Sequence, residues 1–192
     1  MHSDVATVTA ELDAHRARFE ALCRSLSTGE LDLPVPGSTW LVRDFIAHLA
    51  TIDDPVREMF RSLRDGTPRT GSGGEDRWDV DRWNEARVQE RRILGVEQLL
   101  AEAAESRARI REEMARLDAE TLARTLDFGG DSKRPASKVQ LLAYLRGWCK
   151  HDPMHALDML RAMPARLTPD IQAWFDDPVI RGYQAAMNRE PQ

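Results

Sequence analysis

The sequence predicts an all-α fold: a four-helix bundle with a short extra connecting helix and a C-terminal helical tail. Three observations predict it. Apolar residues recur at helical spacing in four long stretches. No stretch shows sustained alternation with the period of two that a half-buried strand needs. Two of the four stretches carry histidines beside their apolar stripes, His48 in one and His151 and His155 in another. Across 192 residues this reads as one domain, with the bundle over about 4–162 and a helical extension over about 168–189.

The first helix is expected over 4–26, with Val8, Leu12, Phe19, Leu22 and Leu26 facing inward, Asp4 as cap and Thr28-Gly29 as stop. A loop with Pro34, Pro36 and Gly37 follows. Ser38 or Thr39 can then cap a second helix with the stripe Phe45, Leu49, Ile52, Val56, Phe60 and Leu63. Pro55 lies within that stripe and predicts a kink near Thr51–Asp54, or a restart capped by Asp54. The polar, Gly-rich stretch 65–76 reads as a surface loop, and Trp78 and Trp83 open a short helix running to about Arg92.

Gly95 interrupts the pattern, and a third long helix is expected over Val96–Leu117, with a loop over 118–136. Ser137-Lys-Val-Gln140 matches a capping box, which predicts a fourth helix from there to about Ala162. Thr168-Pro169 and Asp177-Pro178 each open a helical segment of the tail.

Composition excludes several classes. The formal charge is −5 and no recognition-helix signature is present, so a nucleic-acid partner is not expected. No apolar run approaches the ~20 residues of a membrane span. The start of the chain lacks the basic and apolar regions of a signal peptide. Cys23 and Cys149 are too few for a disulfide framework. Reduced thiols and a cytoplasmic location follow as expectations.

The histidines carry the chemistry. On a helical wheel His151 and His155 lie about 40° apart, with Tyr144, Gly147, Trp148 and Asp158 on the same face. Cys149 points about 200° from His151, which removes it as a co-ligand. Two imidazoles one turn apart can grip one ion, and a third from a facing helix can complete the grip. His48 flanks its stripe between Phe45 and Leu49, with Asp44 one turn earlier as a holder for its second ring nitrogen. Asp158 is the other candidate for such a role. The plain alternative is that these histidines are hydrogen-bonded packing residues. Pro153 stands between His151 and His155. It either kinks the helix or, with Asp152, forms a cap and first turn that leaves His151 outside.

These residues resemble the DinB-like superfamily of bacterial metal-binding bundles. Trp40-Leu-Val-Arg43-Asp44-Phe-Ile-Ala-His48-Leu49 resembles that family's opening of the second helix. Trp83-Asn84 is similar to its connecting region, and Trp148-Cys-Lys-His151-Asp152-Pro-Met-His155 resembles its H-D-x-x-H pair. The resemblance spans roughly 4–162. It implies an up-down-down-up bundle, a divalent metal held by His48, His151 and His155, and frequent homodimers. The superfamily includes mycothiol-dependent maleylpyruvate isomerase and other enzymes that use low-molecular-weight thiols.

Three neutral imidazoles leave an ion's charge undiminished and a coordination position open, which suits a catalytic ion rather than a closed structural one. A metal-dependent enzyme acting on a small molecule is therefore the leading expectation, by thiol transfer, isomerisation or hydrolysis. Zinc is the first choice of metal; nickel, iron and manganese accept the same ligands. Tyr144, Trp148 and Trp83 are candidates to line the pocket, and Trp78 and Trp83 to close over a ligand. The alternatives are a non-catalytic small-molecule-binding protein, or an interaction module dimerising through a face of Leu142, Leu157 and Leu160.

Overall fold

The computed structural model describes residues 2–67, 79–130 and 135–187. The expected loop over 65–76 falls largely outside these residues, and Trp78 does so entirely. The fold is an all-α bundle. Its elements are α1 (Ser3–Arg24), α2 (Thr28–Leu31), α3 (Val42–Leu49), α4 (Asp53–Asp65), α5 (Val80–Arg91), α6 (Val96–Ala115) and α7 (Ala119–Ala123). A hairpin of β1 (Thr125–Phe128) and β2 (Ser137–Gln140) follows, then α8 (Leu141–Trp148), α9 (His151–Leu160), α10 (Pro169–Trp174) and α11 (Pro178–Met187). The four members of the bundle are α1, the α3–α4 arm, α6 and the α8–α9 arm; α5 packs against α3 and α11 against α9.

Both arms break once, and in the same way. The first breaks over residues 50–52 and resumes at Asp53-Asp54-Pro55; the second breaks at Cys149-Lys150 and resumes at His151-Asp152-Pro153. Each proline is the third residue of its new helix. The first-turn amides have no intrahelical acceptor, so a missing N–H there costs nothing, and the preset φ suits the helix. The i→i−4 ladder resumes directly after Pro153, with the Met154 amide donating to the Lys150 carbonyl at 3.0 Å. Aspartates in the first turn also meet the positive end of the helix dipole. His151 is thus the first residue of α9, inside the helix and one turn from His155.

The cap assignments differ from expectation. His2, not Asp4, caps α1, its side chain accepting from the Asp4 amide. Leu41 precedes α3, and its own N–H donates to Asp44 Oδ2 at 3.0 Å. Asp44 thereby caps the helix from its third position.

The largest correction concerns 118–140. The expected loop contains α7 and β1, and the expected capping box is strand β2, antiparallel to β1 with Leu126 opposite Val139 and Asp127 opposite Lys138. Pairing satisfies backbone groups that a helical start would have left to side chains. Only Leu126, Phe128 and Val139 turn apolar groups toward the bundle, a run too short to register as alternation. The fourth helix therefore begins at Leu141, whose amide donates to the Arg124 carbonyl at 2.9 Å.

The core is two apolar clusters with a charged layer between them. One cluster holds Val5, Val8 and Leu12 of α1, Val56 and Phe60 of α4, Ile110 and Met114 of α6, and Leu145 and Trp148 of α8. The other holds Phe19 and Leu22 of α1, Phe45 and Ile46 of α3, Leu99 and Leu100 of α6, and Ala156 and Met159 of α9. At the boundary each bundle member contributes one buried ionisable residue, Arg16, Asp53, Arg107 or Asp152, none more than 5% exposed, and burial outweighs Arg107 and Arg16 to push the Asp53 carboxyl up. Arg16 Nε and Nη2 grip the Asp152 carboxylate at 2.8 and 3.0 Å. Arg107 Nε meets Asp53 at 2.6 Å, and its Nη2 meets Asp152 at 3.4 Å. Burial alone would raise Asp152, but Arg16 and Arg107 outweigh it and hold the carboxyl below its ordinary range.

The three leucines of the expected dimer face differ in burial. Leu160 is fully buried in the second cluster, which the C-terminal extension completes with Trp174, Phe175 and Ile180. Leu157 is partly buried against that cluster and Leu142 against the other. Among the described residues no helix is long and apolar enough to cross a membrane.

Candidate metal centre

His48 occupies the last turn of α3, and His151 and His155 the first turns of α9. The break after α3 and the break before α9 lie beside the same charged layer. The three rings converge, with centroids 5.3 Å apart for His48 and His151, 4.9 Å for His48 and His155, and 4.5 Å for His151 and His155. One nitrogen from each ring lies within 4.8 Å of the other two. Among the described residues this is the one such convergence of histidine, cysteine, aspartate or glutamate.

The nitrogens fit a divalent ion. His155 Nε2 and His151 Nε2 stand 3.0 Å apart. Two nitrogens each about 2.1 Å from one tetrahedral ion stand about 3.4 Å apart, so the pair lies within a few tenths of an ångström of ligand spacing. Nδ1 of His48 and Nδ1 of His151 are buried without a hydrogen-bond partner among the described residues. The unpartnered Nδ1 of His48 leaves that nitrogen free for an ion, whereas the His151 nitrogen that faces the cluster is Nε2. Burial, together with His155 nearby, pushes His48 well below its ordinary value. Burial, His155, His48 and the guanidiniums of Arg107 and Arg16 do the same to His151. Both are therefore neutral at pH 7, the protonation state that ligates.

The surroundings sort the remaining candidates. Asp158 accepts from His155 Nδ1–H at 3.0 Å, which fixes the tautomer and leaves Nε2 facing the cluster. Asp44 does not hold His48. Its carboxylate is taken by Arg92, through Nε at 3.1 Å and Nη2 at 2.8 Å, and by the Leu41 amide. One helical wheel cannot span both segments, because the helix breaks at Cys149-Lys150, and Tyr144 and Trp148 are found in other contacts. Tyr144 stacks on Phe128 at 5.8 Å by the hairpin, and Trp148 lies under the Arg107 guanidinium at 5.5 Å, both in the first cluster. Trp83 is half-buried against the second cluster.

The rings that wall the site are Trp40 and Phe45. Trp40 lies 5.3 Å from His48, and its Nε1 donates to Glu85 of α5 at 2.8 Å. Phe45 lies 5.5 Å from His155. Helical spacing flagged Phe45 only as core. Sequence reasoning also missed Tyr183 of α11, whose hydroxyl donates to Asp158 Oδ2 at 2.6 Å. No periodicity links it to a residue 25 positions earlier.

Neither cysteine joins the cluster. Burial raises the Cys23 thiol far above its ordinary value. Burial and nearby Asp177 push the Cys149 thiol up to about 11, and its Sγ donates to Glu11 at 3.3 Å. The chain thus presents no thiolate nucleophile of its own at neutral pH.

The neutral histidines set a pH dependence. A depressed imidazole stays unprotonated in the folded chain, while the unfolded chain binds a proton below about 6.5. Folding stability is therefore full above that value and falls as the pH drops through it. Each such imidazole contributes a slope of up to about 1.4 kcal/mol per pH unit. Urea unfolding of the metal-free protein at pH 8, 6 and 5 is expected to show a falling midpoint. A midpoint that does not change from pH 8 to 5 would contradict the assignment of His48 and His151 as neutral.

An all-helical bundle in which three imidazoles from two broken arms meet at one point defines a histidine-lined candidate metal site. The chain belongs to the DinB superfamily, whose profile matches residues 11–159. That range contains the three histidines, the four residues of the charged layer and Asp158, and stops short of α10 and α11. A comparison with curated proteins gives no significant match.

Proposed function

We propose that the protein is a divalent-metal-dependent enzyme acting on a small molecule, with His48, His151 and His155 as ligands. The observation that carries this reading is the convergence of three imidazoles, those of His48 and His151 held neutral, with no carboxylate or thiolate among them. A closed structural site uses four protein ligands; three leave room for a substrate atom. A bound ion supplies Lewis acidity, lowering the pKa of a water or thiol or polarising a carbonyl.

The chain's own part is to hold and shield. Asp158 keeps the proton of His155 on Nδ1, so Nε2 offers its lone pair. Trp40 and Phe45 exclude water from one side of the cluster. His151 and His155 are only partly buried, in contrast to His48. With both cysteines held as thiols, a thiol-dependent transfer or isomerisation draws its thiol from outside, as a low-molecular-weight compound. Hydrolysis needs none. Zinc suits the donor set best, and nickel, iron and manganese also accept imidazole.

The test is elemental analysis of protein purified without a histidine tag, followed by turnover assays with and without added thiol. About one divalent ion per chain and chelator-sensitive turnover are expected. A chain that retains no zinc, nickel, iron or manganese after loading and gel filtration sinks the reading.

A further inference from the structure

The C-terminal extension lies outside the matched family residues, yet it reaches the metal-ligand cluster. It is anchored at several points. Trp174 and Phe175 of the α10 end and Ile180 of α11 are buried in the second core cluster. Trp174 Nε1 donates to His15 Nδ1 at 2.9 Å, Asp177 pairs with Lys150 at 3.2 Å, and Arg18 bonds Asp170 at 3.1 Å. Lys150 is the residue immediately before His151. These contacts seat α11 on α9 so that Tyr183 stands over Asp158.

We propose that Tyr183 is a positioning residue of the metal centre, acting on His155 through Asp158. The proposal rests on the metal-centre reading given above. A single oxygen, Asp158 Oδ2, accepts both from the Tyr183 hydroxyl at 2.6 Å and from His155 Nδ1–H at 3.0 Å. Asp158 is 4% exposed, so it has little water to replace a lost donor. A carboxylate held from one side by a phenol cannot swing away from the imidazole on the other. The ring of His155 is then fixed in plane and tautomer, and its Nε2 stays 3.0 Å from His151 Nε2. The extension is thereby part of the site and not merely a cover for Leu160.

The experiment measures the affinity of the full-length, tag-free chain for Zn(II) by competition with a chromophoric chelator. It is done at pH 7 on variants whose circular dichroism matches that of the parent chain. Tyr183→Phe keeps the ring and removes only the donor; it is expected to weaken Zn(II) binding about tenfold, as loss of an outer hydrogen-bond partner does. In a chain already carrying Asp158→Asn the same change is expected to alter affinity less than about twofold, because the phenol acts only through that carboxylate. A purely structural role predicts equal losses in both backgrounds, and that result overturns the proposal. Wild-type binding with unchanged affinity in Tyr183→Phe overturns it too, while leaving the metal centre standing. A wild-type chain that takes no Zn(II) overturns the metal-centre reading, and this inference with it.

Discussion

Replacing Arg107 with alanine is expected to lower the unfolding free energy by about 3–5 kcal/mol, the largest single effect foreseen for this chain. The guanidinium reaches four helices besides its own, one or more from each of the other three bundle members. It meets Asp53 of α4 at 2.6 Å, Asp152 of α9 at 3.4 Å and the Leu12 carbonyl of α1 at 3.5 Å, and it lies over the Trp148 ring. Alanine removes the cation bonded to Asp53, whose carboxyl burial already pushes up, and leaves it only the more distant Arg16; Asp152 retains Arg16 as a direct partner. An uncompensated buried carboxylate is the costly outcome, more than the loss of the attraction itself. Asp53→Leu combined with Arg107→Met removes both charges and is expected to recover much of the loss. Urea unfolding at pH 7 checks both. A loss under about 1 kcal/mol for the alanine variant, or a double variant worse than the single, would show that the layer is not an energetic unit.

The second large effect separates stability from binding. His48→Leu is expected to weaken metal binding at least a hundredfold, while leaving the metal-free chain as stable as the parent or more stable by about 1 kcal/mol. His48 is 3% exposed, with Nδ1 unpartnered among the described residues, so the metal-free fold carries a desolvated polar group with no return. Leucine fills similar space among Trp40, Phe45 and the other two imidazoles without that cost. In the parent chain, metal bound at the proposed site would offset the deficit by mass action. Elemental analysis after dialysis reads the first quantity, and urea unfolding of stripped protein reads the second. A variant that keeps stoichiometric metal, or one destabilised by more than about 2 kcal/mol when metal-free, would make His48 a packing residue.

Much of the site was legible because it obeys local rules. His151 and His155 are one turn apart in any helix, and the apolar stripe turns His48 inward. Asp158 follows His155 by three, which places it on the same face. What the wheel could not supply was the break at Cys149-Lys150. Extending one phase through it brought Tyr144 and Trp148 onto the histidine face, where the fold does not put them. Pro153 marked that break, but sequence alone left it undecided between a kink and a first turn. Contacts across elements were beyond reach for a different reason. Arg92 claims Asp44 from 48 positions away, and Tyr183 claims Asp158 from outside the bundle. The hairpin was invisible because Leu126 and Val139 find their pattern only in each other.

The charged layer has one more consequence, for the relative height of the helices. A purely apolar seam tolerates sliding, since one leucine can replace another a turn away at little cost. Arg16, Asp53, Arg107 and Asp152 do not allow it. Moving any one bundle member by a turn, about 5.4 Å, would strand an ion in hydrocarbon on both sides. Only one vertical alignment of the four members satisfies all the charges. His151 is bonded in sequence to Asp152, and the α3 turn carrying His48 ends just before Asp53. The ion pairs thus act as a set of dowel pins, setting the depth at which imidazoles from two separate arms face one another.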